Sequence, residues 1–373
     1  MDLAPEDSLR LNVMLANRPQ AIRIDESRMI LYALSDKGDM EIPLNPTCRD
    51  EQYIKQVREM LSMHVLGSPS GYPRHIWSRM GHLNSENIEE LLLLGEPEAV
   101  VAIAYSEELT DELARKAWWA LEDAENARQM LRVADVVQGE MGPVLAAYLV
   151  EFLPFETEAE KIMDTVQLVL QPGLVDDSVK ADLWKRARRK NAFYVGFLAA
   201  LPDDLLEQRQ AAPAWDKLSG PLQEMSDGGN RLAAQLERVL SAAGQSWLRT
   251  LNSVLEKPGT QDVVNRALDV AAGYFSSVRP EGQADATIEE LLQEAQTWAD
   301  NPGNALPQQI LNLDPALRQA LIAMRVLSGS GYGIVRPVFG RSDAIGTLMR
   351  RKLQPVLDPY REQIGILQGC RLS

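Results

Sequence analysis

Two cysteines in 373 residues, Cys48 and Cys370, leave no disulfide framework and fit a reducing compartment. Histidine is scarce as well: His64, His75 and His82 are the whole set. With Cys48 they offer N and S ligands, but spacings of ten and six intervening residues match no zinc motif, so no metal is expected. No uninterrupted apolar stretch approaches the roughly 20 residues of a bilayer-spanning helix, so no membrane partner is expected. The opening MDLAPEDSLR carries acid where a secretory leader needs positive charge and then an apolar run. Cytoplasmic residence is the expectation. Gly-x-Ser-x-Gly, His-Glu-x-x-His, P-loop and kinase signatures are all missing. A non-enzyme without cofactor is the expected class.

What is present is charge of one sign and helical punctuation. The net charge of −15 disfavours nucleic acid and anionic lipid as partners of the chain as a whole. From residue 318 onward nine Lys or Arg face three acids, a balance of +6, which leaves −21 on the first 317 residues. Hydrophobic content of 45% and charged content of 24% are globular values, and the length allows two or three cores.

The β signals stand only near the start. Residues 21–25 alternate apolar and polar, 29–34 form a β-prone run, 36–39 supply a turn and 40–44 alternate again, predicting a small antiparallel meander. A helix follows over 49–65, then a turn-rich loop at 67–73. From Asn84 to about Leu201 the chain reads as an array of short helices. Gly95 stops one, Pro97 opens the next, and Thr110 and Asp123 cap two more. Thr157 with Glu160 reads as a capping box, and a long basic helix is expected over 179–201. Such helices are marginal alone and need stacked neighbours; a solenoid would provide them, but no fixed repeat period is present. Residues 202–229 look linker-like. One long amphipathic helix is then expected through Leu232, Leu236, Val239, Leu240, Trp247, Leu251 and Val254, with further helices over 262–277, over 287–299 with a capping box of Thr287 and Glu290, and over 315–327 capped by Asp314. A Gly-rich hinge at 328–333, a basic helix near 342–353 and a loose tail complete the reading. The expected fold is mostly α with a small N-terminal antiparallel β element, divided as 1–83, 84–202 and 203–373.

Three features are candidates for function. Lys185, Arg186, Arg189 and Lys190 form the densest basic cluster, with Phe193 and Tyr194 beside it; it suits an acidic partner or a phosphate backbone, against the plainer reading of a solvated helix face. Arg350, Arg351 and Lys352 are a second candidate partner contact. Cys370, next to Arg371 near the end of the sequence, is a candidate thiol, since a neighbouring cation favours the thiolate. The segment SGSGYG at 328–333 lacks the preceding strand and following helix of a phosphate loop.

Several phrases carry a likeness beyond these patterns: PQAIRIDESRMI at 19–30, LNPTCRDEQY at 44–53, LGEPEAVVA at 94–102, DELARKAWWA at 111–120, ENARQML at 125–131 and LQPGL at 170–174. Together they resemble the DsrS-type sulfur-metabolism proteins, which accompany the dissimilatory sulfite reductase system of sulfur-oxidising bacteria. The likeness is clearest over 18–202 and brings no catalytic residues. It implies an auxiliary, regulatory protein–protein interaction role in cytoplasmic sulfur oxidation. Two alternatives come from other classes: a persulfide carrier acting through Cys370, and a nucleic-acid-binding regulator using the basic helix or tail.

Overall fold

A computed structural model describes residues 3–66, 88–282, 285–340 and 346–370. The loop expected at 67–73, His75, His82, the start of the helix expected at 342 and Arg371 lie outside the described residues. Among the described residues the protein is mostly α with one small antiparallel sheet, as the punctuation predicts. Its chain forms two compact units, one from Met1–Pro154 with Gln171–Val175, the other from Phe155–Leu170 with Asp176–Ser373.

In the first unit, β1 (Ala21–Asp25), β2 (Ile30–Ser35) and β3 (Gly38–Pro43) pair antiparallel in that order. Register places Ile22 opposite Ala33 and Leu31 opposite Ile42. Alternation does the rest, because successive strand side chains point to opposite faces: Ile22, Leu31, Ala33 and Ile42 are all buried. Gly38, at φ +107°, closes the β2–β3 turn in a conformation that a side chain resists. The helix Asp50–Leu66 covers the sheet with Tyr53, Ile54, Val57 and Leu61, and a helix absent from the sequence reading, Pro5–Ala16, adds Leu11, Met14 and Leu15 to the same core. Pro at the first helical position and acids in the first turn are ordinary helix-start signals there.

Elsewhere in this unit the caps hold as expected. Thr110 accepts from the Leu113 N–H, Asp123 from those of Glu125 and Asn126, and Gly95 ends its turn left-handed at φ +63°.

In the second unit Thr287 and Glu290 form the expected capping box. Five sequence expectations need correction. The Thr157–Glu160 box does not form; the Glu156 carboxylate accepts from the Thr157 and Glu158 N–H groups instead. The basic helix of 179–201 is two helices, Asp177–Ala187 and Ala192–Ala200. The second is apolar all round and packs on the helix Ala159–Val169 so closely that a Cβ at Gly196 would lie 2.6 Å from Val166. The long helix through 232–254 breaks at Ser241, whose hydroxyl caps a new helix, Ala242–Glu256, after Arg231–Leu240. Gly244 makes that corner possible, since a Cβ there would meet the Arg238 carbonyl oxygen at 2.2 Å. The linker-like stretch contains a helix, Trp215–Asp227, with Leu218 and Leu222 buried and Pro221 inside it.

The last correction concerns 328–368. No hinge is needed at 328–333: Ser330 is fully buried and shares a 2.6 Å hydrogen bond with the Tyr360 hydroxyl. Gly333 serves a close approach, its missing Cβ leaving room for the Ala286 backbone 2.6 Å away, and a helix, Tyr332–Phe339, starts at once despite Pro337. The C-terminal helix runs Gly346–Gln368, far past 353, and buries Leu353, Leu357, Tyr360, Ile364 and Leu367. Those five positions fall three or four apart on one stripe, so the segment is core rather than a loose tail.

Candidate functional site

The basic cluster is divided by the helix break. Lys185 and Arg186 stand in the last turn of Asp177–Ala187, where cations suit the helix dipole, and Arg189 and Lys190 lie in the turn beyond. Arg186 pairs with Asp182 at 2.6 Å, and the Lys190 ammonium donates to the Glu156 carbonyl at 3.1 Å. Lys185 and Arg189 are exposed and, among the described residues, enter no ion pair. Phe193 packs inward, buried, so the cluster offers no exposed Phe for base stacking.

At the second cluster, Arg350 is half-buried and donates to the Thr347 hydroxyl, while Arg351 and Lys352 are exposed on the outer face of the C-terminal helix. Cys370 is buried, 8% exposed, at the edge of a groove of about 510 Å³ with Gly365, Gly369 and Ala316. Burial pushes its thiol pKa up, and Asp314 adds to the shift. The thiolate expected from Arg371 is therefore disfavoured in the fold. Cys48 and His64 remain apart from any third ligand: among the described residues no three His, Cys, Asp or Glu side chains converge as a metal set. Among them, too, no helix is long and apolar enough to cross a membrane.

A cleft that no sequence motif announces is chemically the richest place in the second unit. It has a volume of about 370 Å³ and is walled by the helices Ala159–Val169, Ala192–Ala200, Arg231–Leu240 and Gln261–Tyr274. Besides the neutral amide of Gln167, four polar residues line it: Arg238, Arg266, Asp269 and Tyr274. Arg238 is committed to Asp203, which it grips with two 2.7 Å hydrogen bonds, and its guanidinium lies 4.1 Å from the centre of the Tyr274 ring. Trp247 stacks on the same ring at 3.9 Å, and the indole N–H donates to the Leu198 carbonyl, so the phenol is clamped. Tyr274 is 6% exposed, yet its hydroxyl has no hydrogen-bond partner among the described residues. Burial raises its pKa, which keeps the phenol protonated and able to donate.

Arg266 donates at 2.7 Å to the Gln167 side-chain oxygen, a neutral partner, and enters no ion pair among the described residues. Asp269 sits one turn along the same helix at the exposed rim, where surrounding protein still raises its pKa against the opposing pull of Arg266. Gly273 leaves open space, since a Cβ there would touch nothing within 4 Å. The sequence reading placed this helix but singled out none of the four polar residues. Arg266 and Asp269 look like an ordinary i, i+3 surface pair, and a buried Tyr reads as core. Only four helices meeting in space make them one site.

No family model, curated protein or solved structure matches this chain.

Proposed function

We propose that this chain is an auxiliary, regulatory binding protein of cytoplasmic sulfur oxidation that docks an acidic protein surface through Lys185 and Arg189. The observation that carries the reading is the exposure of these two cations without an ion pair among the described residues, on a chain of net charge −15. Two such cations exposed together beside a folded helix end are available to a carboxylate from outside. Sulfur oxidation as the setting rests on the DsrS-like phrases between 18 and 202. Charges of this kind steer encounter and fix register more than they add affinity, so complex formation slows as salt rises.

The test is affinity capture from a sulfur-oxidising bacterium grown on reduced sulfur, using the parent chain and a Lys185→Glu, Arg189→Glu double variant. The parent is expected to enrich components of the sulfite reductase system, and the variant to lose them at an unchanged melting temperature. Equal capture by both chains, or capture of no sulfur-oxidation protein by either, would overturn the proposal.

A further inference from the structure

The Tyr274 cleft has polar groups that the docking surface does not use, and their arrangement specifies a ligand. Arg238 and Asp203 neutralise each other, leaving one cation, Arg266, and one anion, Asp269, about one helical turn apart on the same helix. Among the described residues Arg266 makes a single hydrogen bond, to a neutral amide, and keeps further N–H donors in its planar fork. Tyr274, clamped by Trp247 and with a buried hydroxyl that has no partner among the described residues, lines the same walls. Leu198, Ala199, Pro202 and Val270 supply the apolar remainder. A few placed polar groups on an apolar lining, at about 370 Å³, are the make-up of a small-molecule site.

We propose that this cleft binds a small zwitterion of the α-amino acid class with an apolar side chain, its carboxylate on Arg266, its ammonium on Asp269 and a hydrogen bond to the Tyr274 hydroxyl. Net charge selects this class over its rivals. A phosphate or dicarboxylate would set its second negative charge against Asp269. A cationic amine alone would leave Arg266 unanswered and face a repelling guanidinium. A neutral molecule with separated ends answers both charges, and the apolar wall takes the side chain. Gly273 keeps the space beside Tyr274 clear for it.

Isothermal titration calorimetry on the full chain tests this with L-leucine and L-alanine, with two one-armed leucine analogues (4-methylpentanoate, lacking the ammonium, and leucinamide, lacking the carboxylate) and with inorganic phosphate. At least one amino acid is expected to bind at millimolar concentration or below, and each one-armed analogue to bind about tenfold more weakly or worse. Asp269→Asn should erase the preference for leucine over 4-methylpentanoate, and Arg266→Gln the preference over leucinamide. Tyr274→Phe should weaken leucine about fivefold while circular dichroism stays that of the parent. Failure of both amino acids to bind, tighter binding of phosphate or 4-methylpentanoate than of leucine, or wild-type affinity in all three variants would overturn the proposal. Because Lys185 and Arg189 are not among the ligand groups, the docking variant should titrate like the parent, which keeps the two proposals separately testable.

Discussion

Two buried tyrosines with opposite hydrogen-bonding fates distinguish the N-terminal core from the cleft. Tyr53 is fully buried under the sheet, and its hydroxyl donates to Asp7 at 2.6 Å while accepting from the Ala4 N–H at 3.2 Å. Asp7, itself fully buried, also takes the Asn45 backbone N–H at 2.7 Å and the Asn45 side-chain amide at 3.0 Å. Every polar atom in that knot has an answer. Tyr360 repeats the solution with Ser330. Tyr274 is nearly as buried and has none. An unmade hydrogen bond in a dry place costs about 1–3 kcal/mol, and among the described residues the fold bears it at Tyr274 and also at Gln56, Asn126, Gln235, Asn265 and Arg279. What sets Tyr274 apart from those five is that it lines a cleft together with an uncommitted cation and a rim carboxylate, which is the make-up of a binding site.

Breaking the answered knot should have the largest effect. Asp7→Ala leaves Tyr53 and both Asn45 donors without their shared acceptor, and is expected to destabilise the first unit by about 3–5 kcal/mol. Urea unfolding read by hydrogen-exchange mass spectrometry resolves this, because peptides report each unit separately. Tyr53→Phe removes one hydrogen bond to a charged group and should cost about 2 kcal/mol in the same assay.

The parent should also lose stability with rising pH for a defined reason. Burial, followed by the hydrogen bond to Asp7, pushes the Tyr53 phenol up to about 12. Above the ordinary tyrosine value of 10.0 the unfolded chain gives up this proton while the folded chain keeps it. The unfolded state then binds fewer protons, so this contribution is complete below pH 10 and declines as pH rises toward 12. Tyr274 and Tyr360 are shifted in the same direction and add to the slope. Tyr53→Phe should flatten the slope in part; an unchanged slope would show that Asp7 does not hold the phenol. Smaller again is Tyr360→Phe, which removes a bond between two neutral hydroxyls and should cost about 1 kcal/mol in the second unit.

The sequence revealed those parts of the fold that local chemistry determines. Strand alternation located β1 to β3, and Thr110, Asp123, Thr287 and Asp314 marked helix starts, because a side-chain oxygen three residues ahead of an N–H needs no tertiary context. Breaks inside apolar stretches were hidden. Ser241 and Gly244 turn a corner in the middle of an unbroken 3.6-residue periodicity, and only the approach of the Arg238 carbonyl explains why glycine stands there. Pro221, Pro337, Pro355 and Pro359 lie inside helices, since packing carries those helices past a residue that locally disfavours them. Of the candidate site, the basic cluster could be read as a run of letters, although its division between a helix end and a turn could not. The cleft was illegible altogether: Gln167, Arg238, Arg266 and Tyr274 come from three helices, and no spacing along the chain relates them.

The account turns on Tyr274 having its hydroxyl for a ligand rather than for the fold, and Tyr274→Phe without ligand tests that most directly. Phenylalanine keeps the ring against Trp247 and Arg238 and deletes only the unanswered oxygen. Urea unfolding of the second unit should therefore give a midpoint equal to or above that of the parent, the usual sign when a binding group is traded for stability. A loss of about 2 kcal/mol, matching Tyr53→Phe in the first unit, would mean that the Tyr274 hydroxyl is bonded within the fold, and would contradict the account.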